Sequence, residues 1–341
     1  MSKHLVKSVL LACVVFSLLA SAAAAQDAEK APEPEYGKWV PKLDIGMVLT
    51  QSAYSDNWNG SEQGQIAWNF ILNSALSNQF NRSLNWRNQL KLAFGHTHNQ
   101  KFSAEDPGVR VWDHPEKTTD LIDFESLLRL TAGRWVDPYG AFRLLSQFLD
   151  NSDPDGRQVW ASPMTLTGSA GIAREFFRND DEMFLSRFGL AARQNIRQFY
   201  PFAHEISDER RTETSHDGGL EWVTDYAIKF LEDKVLWNSK LTVYKPFEYS
   251  FHGDMDTAAP GISDYPLAVD VNWENIFTGE VVSWLTLNVY VMFIYDKYDN
   301  SVLPELDDQG NLLNEPAVNA AVRKAGQFKE TLGVGLTFKF L

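Results

Sequence analysis

The chain has 341 residues, 44% hydrophobic, 13% aromatic and 22% charged, with a formal net charge of −14. So acidic a balance excludes nucleic acid as a natural partner, and the single cysteine, Cys13, excludes a disulfide framework. After the N-terminal segment no stretch approaches the ~18 apolar residues of a membrane helix, the longest candidate being "VYVMFIY" at 289–295.

Residues 1–25 read as a secretory signal: Lys3, His4 and Lys7 are basic, Ser8 to Ala20 is mostly apolar, and Ala23-Ala24-Ala25 offers a cleavage site. Leu10-Leu11-Ala12-Cys13 has some likeness to a lipoprotein processing site, but the apolar run continues to Leu19. Removing Lys3 and Lys7 with the signal takes the charge from −14 to about −16 and leaves a cysteine-free chain. Residues 26–37, "QDAEKAPEPEYG", are acidic and proline-rich, as a flexible periplasmic linker would be.

From residue 38 to 341 one pattern recurs, an alternation of apolar and polar or small residues with period two. It predicts twelve strands near 39–52, 64–78, 83–96, 119–133, 139–149, 162–177, 183–198, 219–230, 235–249, 264–277, 282–296 and 327–340. The connections alternate strictly between long and short, the short ones being "SNQFNR", "RWVDP", "RNDDE", "LEDK" and "TGEVV". All long loops therefore fall at one end. This is the form of an all-β transmembrane antiparallel up-and-down barrel of about 12 strands in the outer membrane of a Gram-negative bacterium, with both termini periplasmic. A soluble sandwich also alternates, but its apolar face turns inward. Here the opposite face carries Gly, Ala, Thr and Asn as well as charge. Aromatic residues also gather at strand ends, as at two membrane interfaces. Trp39, Trp86, Trp135, Trp237, Trp273 and Trp284 are expected on the short-turn side, with Tyr249, Tyr265, Tyr295 and Tyr298 on the long-loop side.

The last segment, "TLGVGLTFKFL", places Leu332, Val334, Leu336, Phe338 and Phe340 on one face and Thr331, Gly333, Gly335, Thr337 and Lys339 on the other. The first face is expected to meet lipid and the strand to pair with the first, because hydrocarbon tolerates no unpaired edge. Gly335, Phe338 and Phe340 resemble the terminal signal read by the barrel assembly machinery, with Leu341 after the aromatic as a departure.

Residues 52–95 pair Asn57-Trp58 and Gly60 with a strand, a tight turn, then Trp86, Asn88, Leu90 and Gly95. This arrangement resembles an uncharacterised family of outer-membrane proteins, domain-of-unknown-function family 3078. Echoes recur in "KTTDLIDFESLLRL", "VDVNWENIF", "FIYDKYD" and "LGVGLTFKF", while Ser61 stands where a second glycine is usual. The resemblance implies a barrel and its location. It implies no activity and no catalytic residue.

Alternation turns a mixed set of charges inward. The basic candidates for a pore lining are Arg87, Lys91, Arg129, Arg143, Arg187, Arg193 and Arg197, with Lys229 and Lys240. The acidic ones are Glu221, Asp225, Asp270 and Glu274, with Asp123, Glu125 and Glu175. Opposed charges across a wet lumen can screen small polar solutes, which makes a narrow channel or transporter the favoured function. The same charges can instead pair and brace a closed barrel that acts through its loops, in contact with outer-membrane lipid, lipopolysaccharide or a partner protein. The sharpest feature is the row Arg187, Arg193, Arg197 on one strand.

In the loops, "NSDPDG" sets Asn151, Asp153 and Asp155 before Gly156, like the start of a calcium loop, though Ser162 occupies the twelfth position. A simple polar turn accounts for it better. The six remaining histidines, His96, His98, His114, His204, His216 and His252, fall in or beside long loops, where imidazoles can hold zinc or copper. Asn314 caps a short predicted helix in 315–326 expected to pack over the barrel mouth. No cofactor site is predicted, and neither is an enzyme. The His-Ser spacing of an outer-membrane phospholipase is missing, and only His252, Asp254 and Asp256 suggest a rim protease.

Overall fold

The computed structural model describes residues 36–52, 64–105, 109–131, 135–179, 181–201, 209–282, 284–323 and 325–339, with side chains of the last strand as far as Leu336. The signal at 1–25 and nearly all of the linker at 26–37 lie outside the described residues, as do Trp58, His204 and Phe340.

Each alternating segment is a strand, because only an extended backbone sends neighbouring side chains into two different surroundings. Twelve strands form the wall. They are β1 (Trp39–Ser52), β2 (Gln65–Asn81), β3 (Leu84–Phe102) and β4 (Glu116–Leu130). Next come β5 (Asp137–Ser146), β6 (Met164–Arg178), β7 (Glu182–Phe199) and β8 (Arg211–Phe230). The last are β9 (Val235–Tyr249), β10 (Asp270–Val282), β11 (Leu285–Tyr295) and β12 (Gln327–Lys339). Each pairs antiparallel with the next, and β12 returns to β1 from Asp44↔Lys339 to Val48↔Gly335, closing the ring.

Strand β7 shows how the faces divide. Leu185 and Arg187 are 1% and 2% exposed on one face, while Phe188 and Leu190 are 50% and 61% exposed on the other. A wall with charge inside and bare leucine outside is inverted relative to a soluble core, so the outward solvent is hydrocarbon. The soluble-sandwich reading is thereby set aside. At the short-turn end aromatic rings form a girdle: Trp39 contacts Phe80 and Trp86, Phe184 contacts Tyr226, and Trp237 stacks on Phe277.

A glycine pair lies where β6 meets β7. Gly171 and Gly189 are register partners. A Cβ on Gly171 would lie 2.2 Å from the Phe188 carbonyl oxygen, and one on Gly189 2.3 Å from that of Ala170. Only glycine allows the backbones this approach.

Four expectations need correction. The strand predicted at 264–277 begins at Asp270, because Tyr265–Leu267 is a 3₁₀ turn with Pro266 in it, and it runs through "TGEVV" to Val282. Trp273 consequently sits toward the long-loop end, opposite Phe293. The strand predicted at 219–230 starts at Arg211, since the polar run before it pairs with the far end of β7. Finally, Tyr249 and Tyr298 form no outward belt: they are 4% and 1% exposed in the core of a loop cap.

Candidate functional site: the lumen and its cap

The inward side chains meet across the barrel. On β3, Arg87 Nη2 donates to Asp225 Oδ2 on β8 at 3.2 Å. On β4, Glu125 Oε2 accepts from Arg187 of β7 at 3.0 Å and from Lys240 of β9 at 2.8 Å. Lys91 on β3 donates to Glu274 on β10 at 2.8 Å. In a ring of twelve, β3 to β8, β4 to β9 and β3 to β10 are each five steps apart by the shorter way, or nearly opposite. The central charges are almost dry, with Arg187, Glu125 and Asp225 only 2%, 6% and 8% exposed. Such charges tolerate burial because each has an opposite partner and charge-assisted hydrogen bonds.

Shorter pairs complete the lining. Arg143 holds Asp123 with two bonds of 2.9 Å, and Arg129 reaches Glu175 at 3.0 Å and Asp137 at 3.7 Å. Toward the long loops, Arg193 lies 3.6 Å from the Tyr244 ring centroid and donates to Asp217 at 2.7 Å and Asp270 at 2.8 Å. Glu221, buried on the same wall, lies in the field of Arg143 and Arg187 without a direct bond to either.

Of the arginine row, Arg187 and Arg193 join this network and Arg197 does not. Arg197 sits over the Phe199 ring at 5.2 Å and lines a small rim cavity with Asp153, Arg157 and Tyr200. Lys229 is likewise outside it, paired with Asp181 at the short-turn end.

The long-loop mouth is capped. Helices α1 (His252–Ala258) and α2 (Glu315–Ala320) bring Met255 and Val318, both 0% exposed, against Tyr249, Tyr298 and Ala321. Ionic clamps bind the cap: Arg323 to Asp296 and Asp299, and Arg211 to Glu305 at 2.8 Å. The cap also reaches into the barrel. Asn300 donates to Asp217 at 3.4 Å, and Ser215, itself 0% exposed, donates to the Asn300 carbonyl. The predicted helix does pack over the mouth. Asn314 makes no side-chain cap bond; it donates to Leu303 O at 2.8 Å and accepts from the Glu305 amide at 2.9 Å.

Sequence reasoning missed Asp217, Ser215 and Asn300. Asp217 shares the odd alternation of Glu221 and Asp225, and carrying that alternation back past Gly219 would have found it. Nothing local to Asn300 points into the lumen.

In the 151–156 loop the carboxylates face a guanidinium. Arg157 donates to Asp153 at 2.9 and 3.0 Å and to Asp155 at 3.2 Å, and these hydrogen bonds hold the Asp153 carboxyl below the usual carboxylate range. Asn151 is exposed beside them. Among the described residues no three His, Cys, Asp or Glu side chains are grouped to hold a metal ion. His252 Nε2 and Asp256 Oδ2 are 4.0 Å apart on α1, while His252 Nδ1 lies 3.2 Å from the Ser263 carbonyl. Gly335 faces inward against Val48, and the side chains of Phe338 and Phe340 lie outside the described residues.

Two solved structures are similar in outline. A crystal structure of an outer-membrane channel from Pseudomonas putida F1 shares 11% identity over 92% of this chain and 100% of its own, with a TM-score of 0.39. The β-domain of the Bordetella autotransporter BrkA shares 9% identity over 89% of this chain and 98% of its own, with a TM-score of 0.31. No curated protein sequence matches the chain. Residues 49–151 match the model of a family described as a protein of unknown function (DUF3078), the same family that the motif in 52–95 resembles.

Proposed function

We propose that this protein is an outer-membrane barrel that does not conduct along its axis and acts through its capped long-loop end, in adhesion, envelope integrity or partner assembly. The observation that supports this reading is the set of ion pairs that cross the lumen, in which Glu125 with Lys240, Arg87 with Asp225 and Lys91 with Glu274 join strands five steps apart and Arg187 shares Glu125. A narrow channel for small polar solutes needs charge left unpaired along a wet path. Eight of the nine basic residues expected to line one are engaged with carboxylates instead. The ninth, Arg197, lies at the rim.

In this reading the barrel stands in a Gram-negative envelope with both termini periplasmic. Outer-membrane lipid and lipopolysaccharide cover its apolar face, and the assembly machinery reads the strand that carries Gly335, Phe338 and Phe340. The deciding measurement is single-channel conductance of the refolded mature protein in a planar bilayer across a salt gradient. Absence of discrete steps, from protein shown to be folded, is the expected result. Discrete steps with a shifted reversal potential would establish the channel instead.

A further inference from the structure

Strand β6 carries a cation on the wrong face for a membrane wall. Its inward side buries Ala173 against Leu127, Tyr139 and Leu185. Its outward side runs Ile172, Arg174, Phe176, and the two apolar members are each 47% exposed. The register partner of Arg174 on β7 is Ser186, which accepts from the indole of outward Trp222 at 2.8 Å. Arg174 therefore stands on the surface that meets hydrocarbon, toward the short-turn end.

Aromatic rings surround it where an ion-pair partner would be expected. The guanidinium carbon lies 4.7 Å from the Trp135 ring centroid and 5.0 Å from that of Phe176. Phe176 is stacked on Phe184 at 4.8 Å, and Trp135 is 76% exposed. Such contacts hold the guanidinium in place but accept none of its N–H bonds. Among the described residues no carboxylate pairs with it: Glu175 is taken by Arg129 and Arg178, Asp181 by Lys229 and Glu182 by Tyr226. At this end the residues outside the described set are Ala132, Gly133, Arg134 and Asp180. The only acid among them, Asp180, follows Arg178, which is itself four strand steps or about 13 Å beyond Arg174. Other polar groups on the outward face are satisfied within the wall, as where Trp86 donates to Ser126 at 2.9 Å and Trp273 to Ser239 at 3.0 Å. An arginine facing lipid needs an anion, and the membrane supplies one at headgroup depth, within reach of a long side chain.

We infer that Arg174, Trp135 and Phe176 form a site for an anionic glycerophospholipid, with the guanidinium on its phosphodiester and its acyl chains lying along Ile172 and Phe188. The lipid class rests on the orientation proposed above, which puts the short turns in the phospholipid leaflet. Protease cleavage of the long loops on intact cells tests that orientation separately. A conducting barrel would sink the axial closure and leave this inference to its own test.

That test titrates the refolded mature protein, in a non-ionic detergent, with phosphatidylglycerol and counts retained lipid by native mass spectrometry. Phosphatidylcholine, lipid A and inorganic phosphate serve as comparators. One phosphatidylglycerol per chain is expected to survive activation that strips phosphatidylcholine. Arg174→Gln should weaken it about tenfold, the loss of one charge-assisted contact, and Trp135→Ala about threefold, the loss of one ring. Heat-modifiable gel mobility establishes that each variant is folded, and Trp135→Ala, at an exposed position, keeps the test decisive should Arg174→Gln not fold. The inference is overturned if the two phospholipids are retained alike, or if lipid A or inorganic phosphate displaces phosphatidylglycerol at equal concentration. Binding unchanged in both variants would overturn it equally.

Discussion

Glu125→Gln tests the closed lumen most directly. The substitution keeps the shape of the side chain and removes one negative charge from a cluster in which Lys240 and Arg187 lie 2.8 and 3.0 Å from the same oxygen and Arg87 lies 4.0 Å from the other. At an effective dielectric of about 20, each of the two close contacts is worth about 5–6 kcal/mol before desolvation. Most of that is already set against the cost of burying the ions, yet the three cations stay buried when the carboxylate goes. Removing one partner of a buried pair typically costs about 3–5 kcal/mol, and that range is the expected loss. Urea unfolding of the refolded barrel in vesicles, followed by tryptophan fluorescence, measures it. A Glu125→Met, Lys240→Met double variant should recover much of the loss, because it removes charges of both signs together. A loss below about 1 kcal/mol for Glu125→Gln would refute the reasoning, since it would mean that water already solvates these charges.

Three further outcomes follow from other parts of the structure. Gly189→Val should destabilise the barrel by about 1–3 kcal/mol by the same unfolding measurement, because its Cβ would strike the Ala170 carbonyl. Met255→Ala removes a fully buried side chain from the cap and should cost the cap about 2–5 kcal/mol. Limited proteolysis should then cut the 250–263 and 297–326 loops faster, with heat-modifiable mobility of the barrel unchanged. In the 151–156 loop, Asp153 has a folded value below its unfolded one because of the Arg157 hydrogen bonds. The clamp is therefore fully present above the ordinary carboxylate range and is lost as the pH falls through the depressed value. Protection of the 151–157 amides, taken relative to their intrinsic exchange rate at each pH, should be lost only on that acid side, and in Arg157→Gln it should already be lost at neutral pH.

The strands and their faces were legible because a period of two is a local property. Trp39–Ser52 and Val235–Tyr249 appear where the alternation placed them, and Leu332, Val334 and Leu336 face outward as their spacing requires. Closure of the ring was legible too, because no strand edge is stable against hydrocarbon. Errors came where a polar or proline-bearing run hides its pairing, as at Arg211–Gly218 and Tyr265–Leu267.

Which charges meet was not legible. Arg87 and Asp225 are 138 positions apart, and Lys91 and Glu274 are 183 apart. Their encounter depends on strand tilt, stagger and the diameter of a ring of twelve, none of which is written in any one segment. The cap is of the same kind, since Tyr249 ends β9 while Met255 and Val318 come from two different connections, and the three share a core only once the barrel has brought those connections together. The sequence by itself determined that there would be a wall, how many strands it would have and which side would face lipid. Only the tertiary structure decided that the lumen is crossed by ion pairs and that Arg174 lies between Trp135 and Phe176, because both are set by distances between strands of the closed ring.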